Sequence, residues 1–326
     1  MSAVISKRRL GRSTLHVAPL AFGGNVFGWT ADESRSFELL DAFVAAGFNL
    51  IDTADSYSRW VRGNRGGESE TIIGNWLRQR KLRDRVIIAT KVASEMGPGE
   101  KGLSRAYIRR AVERSLQRLN TDYIDLYQSH WDDPDTPVHE TLEVYGELVR
   151  EGKVRVIGAS NFTAPRLAES LRASAAGGYP RYECFQPWYN LYERDKFEGE
   201  LAQLCHDEAL GVISYFSLAS GFLTGKYRSE EDAGKSARGN GAKKMLDQRG
   251  RRILRALDTV AAEYNATPAQ VSLAWLLARG VTAPIASATS VAQLQELLGC
   301  ASLALQPGDL QLLDEASSSA PYDSEG

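Results

Sequence analysis

Short apolar runs recur along this chain, each ending in a residue able to do chemistry, with amphipathic helical patterns filling the intervals. The clearest are FNLID ending at Asp52, VIIATK ending at Lys91, YIDLYQSH ending at His130, VRVIGASN ending at Asn161 and YECFQ ending at Gln186. VISY, ending at Tyr215, and APIASATS, which contains Ser287, continue the series. Strands alternating with helices predict a parallel sheet. A (β/α)8 TIM barrel is the closed form of that pattern, and its C-terminal strand ends surround one cavity. Residues from 52 to 287 then line a single site. A barrel takes roughly 250 residues or more with insertions, so the 326 residues read as one domain, 1–326, with 317–326 (SSSAPYDSEG) a flexible polar tail.

The chain is 43% hydrophobic and 25% charged with a formal net charge of −2, which offers no general electrostatic reason to bind nucleic acid. Any basic site must be local. Cys184, Cys205 and Cys300 are too few and scattered for a disulfide framework or a CxxC metal site, so reduced thiols in a cytoplasm are expected. The opening MSAVISKRRLGRS lacks the apolar segment of a secretory signal, and no stretch reaches the roughly 18 apolar residues of a membrane span. A soluble, unprocessed, cytoplasmic protein is the expectation.

Interleaved polar and apolar residues around Gly11 and Ser13 predict a small N-terminal β-hairpin, placed to plug the barrel bottom. Helical spacing links Ile108, Val112, Leu116 and Leu119, and again Leu142, Tyr145, Leu148 and Val149. Thr267, Pro268 and Gln270 supply an N-cap, a first-turn proline and the partner of a capping box, so a helix starts there. Two connections are long, as functional loops of a barrel face tend to be. One runs from Ser58 to Ser69 with Arg59, Trp60, Arg62 and Arg65, whose arginines are expected to be solvated; the other runs from about Thr224 to Gly250 and carries Lys226, Arg228, Lys235, Arg238, Lys243 and Lys244.

Asp52 and Tyr57 stand five apart after one strand, while Lys91 and His130 end the next two. A phenol with a pKa of about 10 is a poor acid near neutrality unless positive charge favours its anion, and a cation within about 4–6 Å lowers it by roughly 1–3 units. Lys91 is the candidate cation, and Asp52 would hold it. His130 would donate a hydrogen bond to a substrate oxygen. Singly, each residue has a blander reading: Asp is a common turn residue, His a satisfied core residue, Lys a solvated one and Tyr215, Trp131 and Trp188 core filling. Ionisable ends on consecutive βα units are harder to dismiss.

IDTADSY, the lysine of IATKV, QSHWDD, GASNF, QPWYN and LTGKY resemble the aldo-keto reductases, most closely the bacterial and potassium-channel β-subunit-like branch, over nearly the whole chain. The resemblance implies a barrel that binds NADP(H), with Asp52, Tyr57, Lys91 and His130 as catalytic tetrad and Tyr57 as general acid in reducing a small-molecule carbonyl substrate. It also implies that Ser160, Asn161 and Gln186 hold the nicotinamide carboxamide and that Tyr215 stacks on the ring. Ser217, Leu218, Gly221, Lys226, Arg238, Ser287, Thr289 and Gln293 fall on cofactor-contacting segments. An amide recognises an amide through paired donors and acceptors, and an aromatic face fixes which side of the ring meets substrate. Many NADP-dependent relatives place Lys or Arg where this chain has Thr289 and Ser290. Hydroxyls bond a phosphate without a countercharge, so NAD(H) is an alternative.

Three other functions compete. A cofactor-binding regulatory or redox-sensing module is opposed by the intact tetrad. A metal-assisted barrel hydrolase would need clustered ligands, and His16, His130, His139 and His206 show no such spacing. A Rossmann dehydrogenase would need GxGxxG after the first strand, whereas GNGAKK at Gly239 sits in a loop. The physiological substrate and the oligomeric state are left open by the sequence.

Overall fold

The computed structural model describes residues 5–237 and 239–319. Among them an antiparallel hairpin, β1 (Arg8–Arg9) with β2 (His16–Val17), precedes eight parallel strands. These are β3 (Ala21–Gly23), β4 (Leu50–Asp52), β5 (Ile87–Val92), β6 (Ile124–Ser129), β7 (Val154–Ser160), β8 (Tyr182–Gln186), β9 (Gly211–Val212) and β10 (Ile285–Ala286). The sheet order is β10-β3-β4-β5-β6-β7-β8-β9. Backbone bonds from Thr282 N–H to Val212 O and from Ile285 N–H to Ser214 O, both 2.8 Å, join the two ends and close the barrel. The (β/α)8 expectation holds.

Alternation along each strand separates two cores, because successive side chains point to opposite faces. Outward residues such as Ile51, Ile88, Tyr127 and Phe185 pack against the surrounding helices. Inward residues Leu50, Ile87, Ala89, Leu126, Cys184, Ile213 and Ile285 form a separate apolar plug with Leu10, Leu15 and Val17 of the hairpin region. The hairpin therefore closes the bottom, as expected, and it does so at backbone distance: a Cβ on Gly211 would lie 2.5 Å from Leu10 Cδ1 and 2.7 Å from Gly11 N.

The predicted helices form at Arg105–Leu119, Val138–Arg150 and Pro268–Ala278. The last has its capping box, with Thr267 N–H donating to Gln270 Oε1 (2.9 Å) and Gln270 N–H to Thr267 Oγ1 (3.3 Å). The loop from Ser58 ends earlier than its sequence suggests, since a helix spans Glu68–Arg80. The second long connection is partly structured, by 3-10 turns at Ala219–Thr224 and Glu230–Lys235 and a short helix at Gly239–Lys243. The tail expectation needs correcting at its start. Ser317 is the buried last residue of the helix Pro307–Ser317, held because its hydroxyl lies 2.7 Å from Leu313 O and accepts from Arg194 (2.9 Å); residues 320–326 lie outside the described residues. No described helix is long and apolar enough to cross a membrane. The three cysteines are free and buried.

Candidate active site

The alternation that builds the plug also builds the site floor. Two residues beyond Leu50, Ala89, Leu126 and Cys184 come Asp52, Lys91, Gln128 and Gln186, so each apolar inward position is followed, one pleat higher, by a polar one. All four are essentially sealed from solvent. A charge in such a place must be paired. Lys91 Nζ donates to Asp52 Oδ2 (2.8 Å), Thr53 O (2.9 Å) and the Tyr57 hydroxyl (2.9 Å), which uses all three donors of an ammonium. Asp52 Oδ1 accepts from Gln186 Nε2 (2.9 Å). Because Tyr57 oxygen accepts from Lys91, its own proton has only a long 3.4 Å approach to Asp52. That proton is available to a ligand.

The electrostatics differ from the sequence expectation in one respect. Burial raises the Tyr57 pKa above its ordinary 10, Lys91 offsets part of that rise, and Asp52 adds to it. The phenol is thus not acidified in the resting site, because desolvating a phenolate costs more than a shared ammonium returns. Burial likewise opposes the charge on Lys91, but Asp52 and Tyr57 overcome it and raise its pKa. His130 is held well below its usual value, first by burial and then by Lys91. The site near neutrality holds an ammonium, a protonated phenol and a neutral imidazole.

His130 follows β6 and is fixed at both backbone ends, with its N–H donating to Val92 O (2.8 Å) and its carbonyl accepting from Asn161 Nδ2 (2.9 Å). Its ring lies 6.1 Å from that of Tyr57 and stacks on Trp131 at 5.7 Å. Asn161 sits at a left-handed φ of 57°, which asparagine tolerates, and so turns back over the end of β7. Its Oδ1 accepts from the Tyr215 hydroxyl (2.7 Å), while Ser160 Oγ donates to Gln186 O (2.8 Å). Asp52, Tyr57, Lys91, His130, Ser160, Asn161, Gln186 and Tyr215 are therefore one bonded or touching cluster. Around it stand Trp29 and Trp60, 5.9 Å apart, Trp131, and Trp188 stacked on Phe216 at 4.3 Å. Trp60 and Trp131 are 53% and 49% exposed, so the mouth is open.

The remaining sequence candidates lie outside this cluster. Ser217 Oγ donates to Ser214 O (2.9 Å), and Leu218 O accepts from Gly221 N–H (2.8 Å) inside a turn whose residues 219–221 all have positive φ. A Cβ on Gly221 would lie 3.5 Å from Lys226 Nζ, which places that ammonium against the turn. Ser287 Oγ is 2.7 Å from Gly23 O and 2.8 Å from Asn25 Oδ1. Gln293 Oε1 accepts from the N–H and the hydroxyl of Thr289, both at 3.0 Å, at the start of the helix Val291–Leu298. Arg238 lies outside the described residues. The second loop is less cationic than its composition suggests. Arg228 pairs with Asp258 (2.7 Å), Lys235 with Asp232 (2.7 Å) and Lys243 with Glu230 (2.8 Å), whereas Lys226 has no carboxylate partner among the described residues.

The residues present fit a nicotinamide dinucleotide. Asn161 and Gln186 carry amides near the largely buried ring of Tyr215, and Lys226, with no carboxylate partner among the described residues, lies beside a glycine turn. Among the described residues no group of three or more His, Cys, Asp or Glu could hold a metal.

Four neighbours of the site, Gln128, Ser94, Asp55 and Glu70, are not among the candidates of the sequence pattern. Gln128 was recoverable from parity, two after Leu126 and two before His130. Ser94 Oγ reaches His130 Nδ1 (3.0 Å), and Asp55 and Glu70 are carboxyls buried behind the barrel wall. Glu70 accepts from Thr90 (2.6 Å) and Arg118 (2.7 Å), while Asp55 Oδ1 has no partner among the described residues and burial, then Glu70, push its pKa well up.

A family model described as the aldo/keto reductase family matches residues 19–318. The chain is 36% identical to the uncharacterized oxidoreductase YrpG of Bacillus subtilis (strain 168) over 316 residues, 94% of each chain. It is 33% identical to the protein tas of Escherichia coli (strain K12), covering 88% of this chain and 90% of that one. It is also 33% identical to the aldo-keto reductase AFTS1 of Alternaria alternata, covering 95% and 91%.

Proposed function

The chain belongs to the aldo/keto reductase family, a family of oxidoreductases acting on small carbonyl compounds, and from that premise we propose that it reduces aldehydes or ketones to alcohols with NADP(H), NAD(H) being the alternative. The observation that carries this reading is the Lys91 ammonium, 2.9 Å from the Tyr57 oxygen and 2.8 Å from Asp52. A nicotinamide held there would supply the hydride that the carbonyl carbon needs. Tyr57 is the general acid, since its oxygen already accepts from Lys91 and its proton is free to go to the carbonyl oxygen as negative charge develops there. The acidity Tyr57 lacks at rest is needed only in the transition state, when the proton moves toward the emerging alkoxide and the phenolate left behind is stabilised by Lys91. His130, neutral, donates a hydrogen bond to that same oxygen.

Asn161 and Gln186 orient the carboxamide and Tyr215 covers one ring face. Asn161 Oδ1, which accepts from the Tyr215 hydroxyl (2.7 Å), would be the acceptor available to a carboxamide. Lys226 meets the pyrophosphate as a point charge. The exposed tryptophans at the mouth favour substrates with an apolar or aromatic body. The test is an NADPH-oxidation screen over aromatic aldehydes, dicarbonyls, sugars and ketosteroids, repeated with NADH and with Tyr57→Phe. Turnover of some carbonyl by the parent and not by the variant is expected; an equally active variant overturns the assignment of Tyr57.

A further inference from the structure

His130 can help a carbonyl oxygen only if the ring nitrogen facing it carries a proton, and a neutral imidazole has one proton for two nitrogens. Among the described residues one side chain hydrogen-bonds this ring. Ser94 Oγ lies 3.0 Å from Nδ1, and among the described residues no hydrogen bond is made to Nε2. Ser94 reaches it because Ala93, just before it, has a φ of 105°, a conformation L side chains rarely adopt, on the two-residue step that leaves β5. Two further contacts hold that step: Gly102 N–H donates to Ala93 O (3.1 Å), and the Tyr107 hydroxyl stands 3.5 Å from Ser94 O. Trp131 stacks on the ring and Asn161 holds the His130 carbonyl, so the imidazole plane is already fixed. What those contacts leave unspecified is the tautomer.

We propose that Ser94 is a positioning residue for His130: its hydroxyl donates to Nδ1, which places the single ring proton on Nε2, the nitrogen left for a substrate oxygen. The proposal rests on the reductase reading for its use, but the tautomer itself is a property of the protein without substrate. A serine hydroxyl can donate or accept; here it donates, which makes Nε2 a donor as well.

The test is nitrogen NMR on protein carrying 15N-histidine, with the His130 signals assigned by their loss in His130→Gln. At pH 7.5 the parent should show a bare Nδ1 and a protonated Nε2. Ser94→Ala should show both tautomers and lose about tenfold in kcat/KM, about 1.4 kcal/mol, with unchanged NADPH affinity. Ser94→Thr should restore both. A protonated Nδ1 in the parent, or an alanine variant with the parental tautomer and turnover, overturns the proposal. Absence of turnover in the parent with every carbonyl tried would instead count against the reductase reading, and the NMR would still decide the tautomer.

Discussion

Lys91 donates to Tyr57 across 2.9 Å, although burial, not that ammonium, has the larger effect on the phenol. The pair is poised to stabilise a phenolate once formed rather than to form one at rest. Two consequences for pH follow. Tyr57 keeps its proton beyond its ordinary pKa of 10, and His130, shifted well below 6.5, stays neutral across the neutral range. The kcat/KM for carbonyl reduction should therefore be flat from about pH 6.5 to about 9. A stopped-flow or steady-state profile with an inflection near 6.5 that disappears in His130→Gln would show that His130 titrates there after all.

Asp52 is the countercharge of an ammonium with no exposure to solvent. Asp52→Ala leaves Lys91 buried and unpaired, and should cost about 3–5 kcal/mol of stability. Adding Lys91→Met should recover part of that loss. Urea unfolding of the single and double variants checks both, and a double variant less stable than Asp52→Ala would contradict this account.

Asp55 behaves in the opposite sense. Its carboxyl is buried beside Glu70, with Arg118 and Lys91 only partly compensating, and its pKa is raised well above 3.8. A raised folded pKa contributes stability that is full below the unfolded value and is lost as pH climbs through the folded one. Asp55→Asn removes that loss, so the variant should gain about 1–3 kcal/mol at pH 7–8 and nothing near pH 4. Melting temperatures of parent and variant across that range should diverge upward with pH; parallel curves would mean that the carboxyl is ionised at no cost.

Lys226 stands against the Gly221 turn with no carboxylate partner among the described residues, unlike Arg228, Lys235 and Lys243. Lys226→Ala should weaken NADPH binding about tenfold, about 1.4 kcal/mol, while Lys243→Ala should change it little. Fluorescence titration reads both dissociation constants. An unchanged constant in Lys226→Ala removes its phosphate role.

Thr289, whose hydroxyl is already bonded to Gln293, offers no cation to a 2′-phosphate in the proposed cofactor site. The preference for NADPH over NADH should stay below roughly a hundredfold, about 2.7 kcal/mol, and Thr289→Arg should raise it. A larger preference in the parent would place the phosphate's countercharge elsewhere.

The barrel was legible because its information is local. Period-two apolar runs, helical spacing between them, and a threonine and glutamine three apart at the start of the helix Pro268–Ala278 each act within one turn or one strand. The same parity puts Asp52, Lys91 and Gln186 at strand ends, and it extends to Gln128, the polar residue two after Leu126. What needed the tertiary structure was everything that depends on distance across the fold or on exclusion of water. Arg228 and Asp258 are thirty residues apart, so the neutralisation of the cationic loop is invisible along the chain. Ser94 meets His130 only because one residue, Ala93, takes an unfavoured backbone turn. The sign of the Tyr57 shift was decided the same way. A sequence can place a lysine beside a phenol, but only the packed barrel determines how much water both have lost, and desolvation is the larger effect.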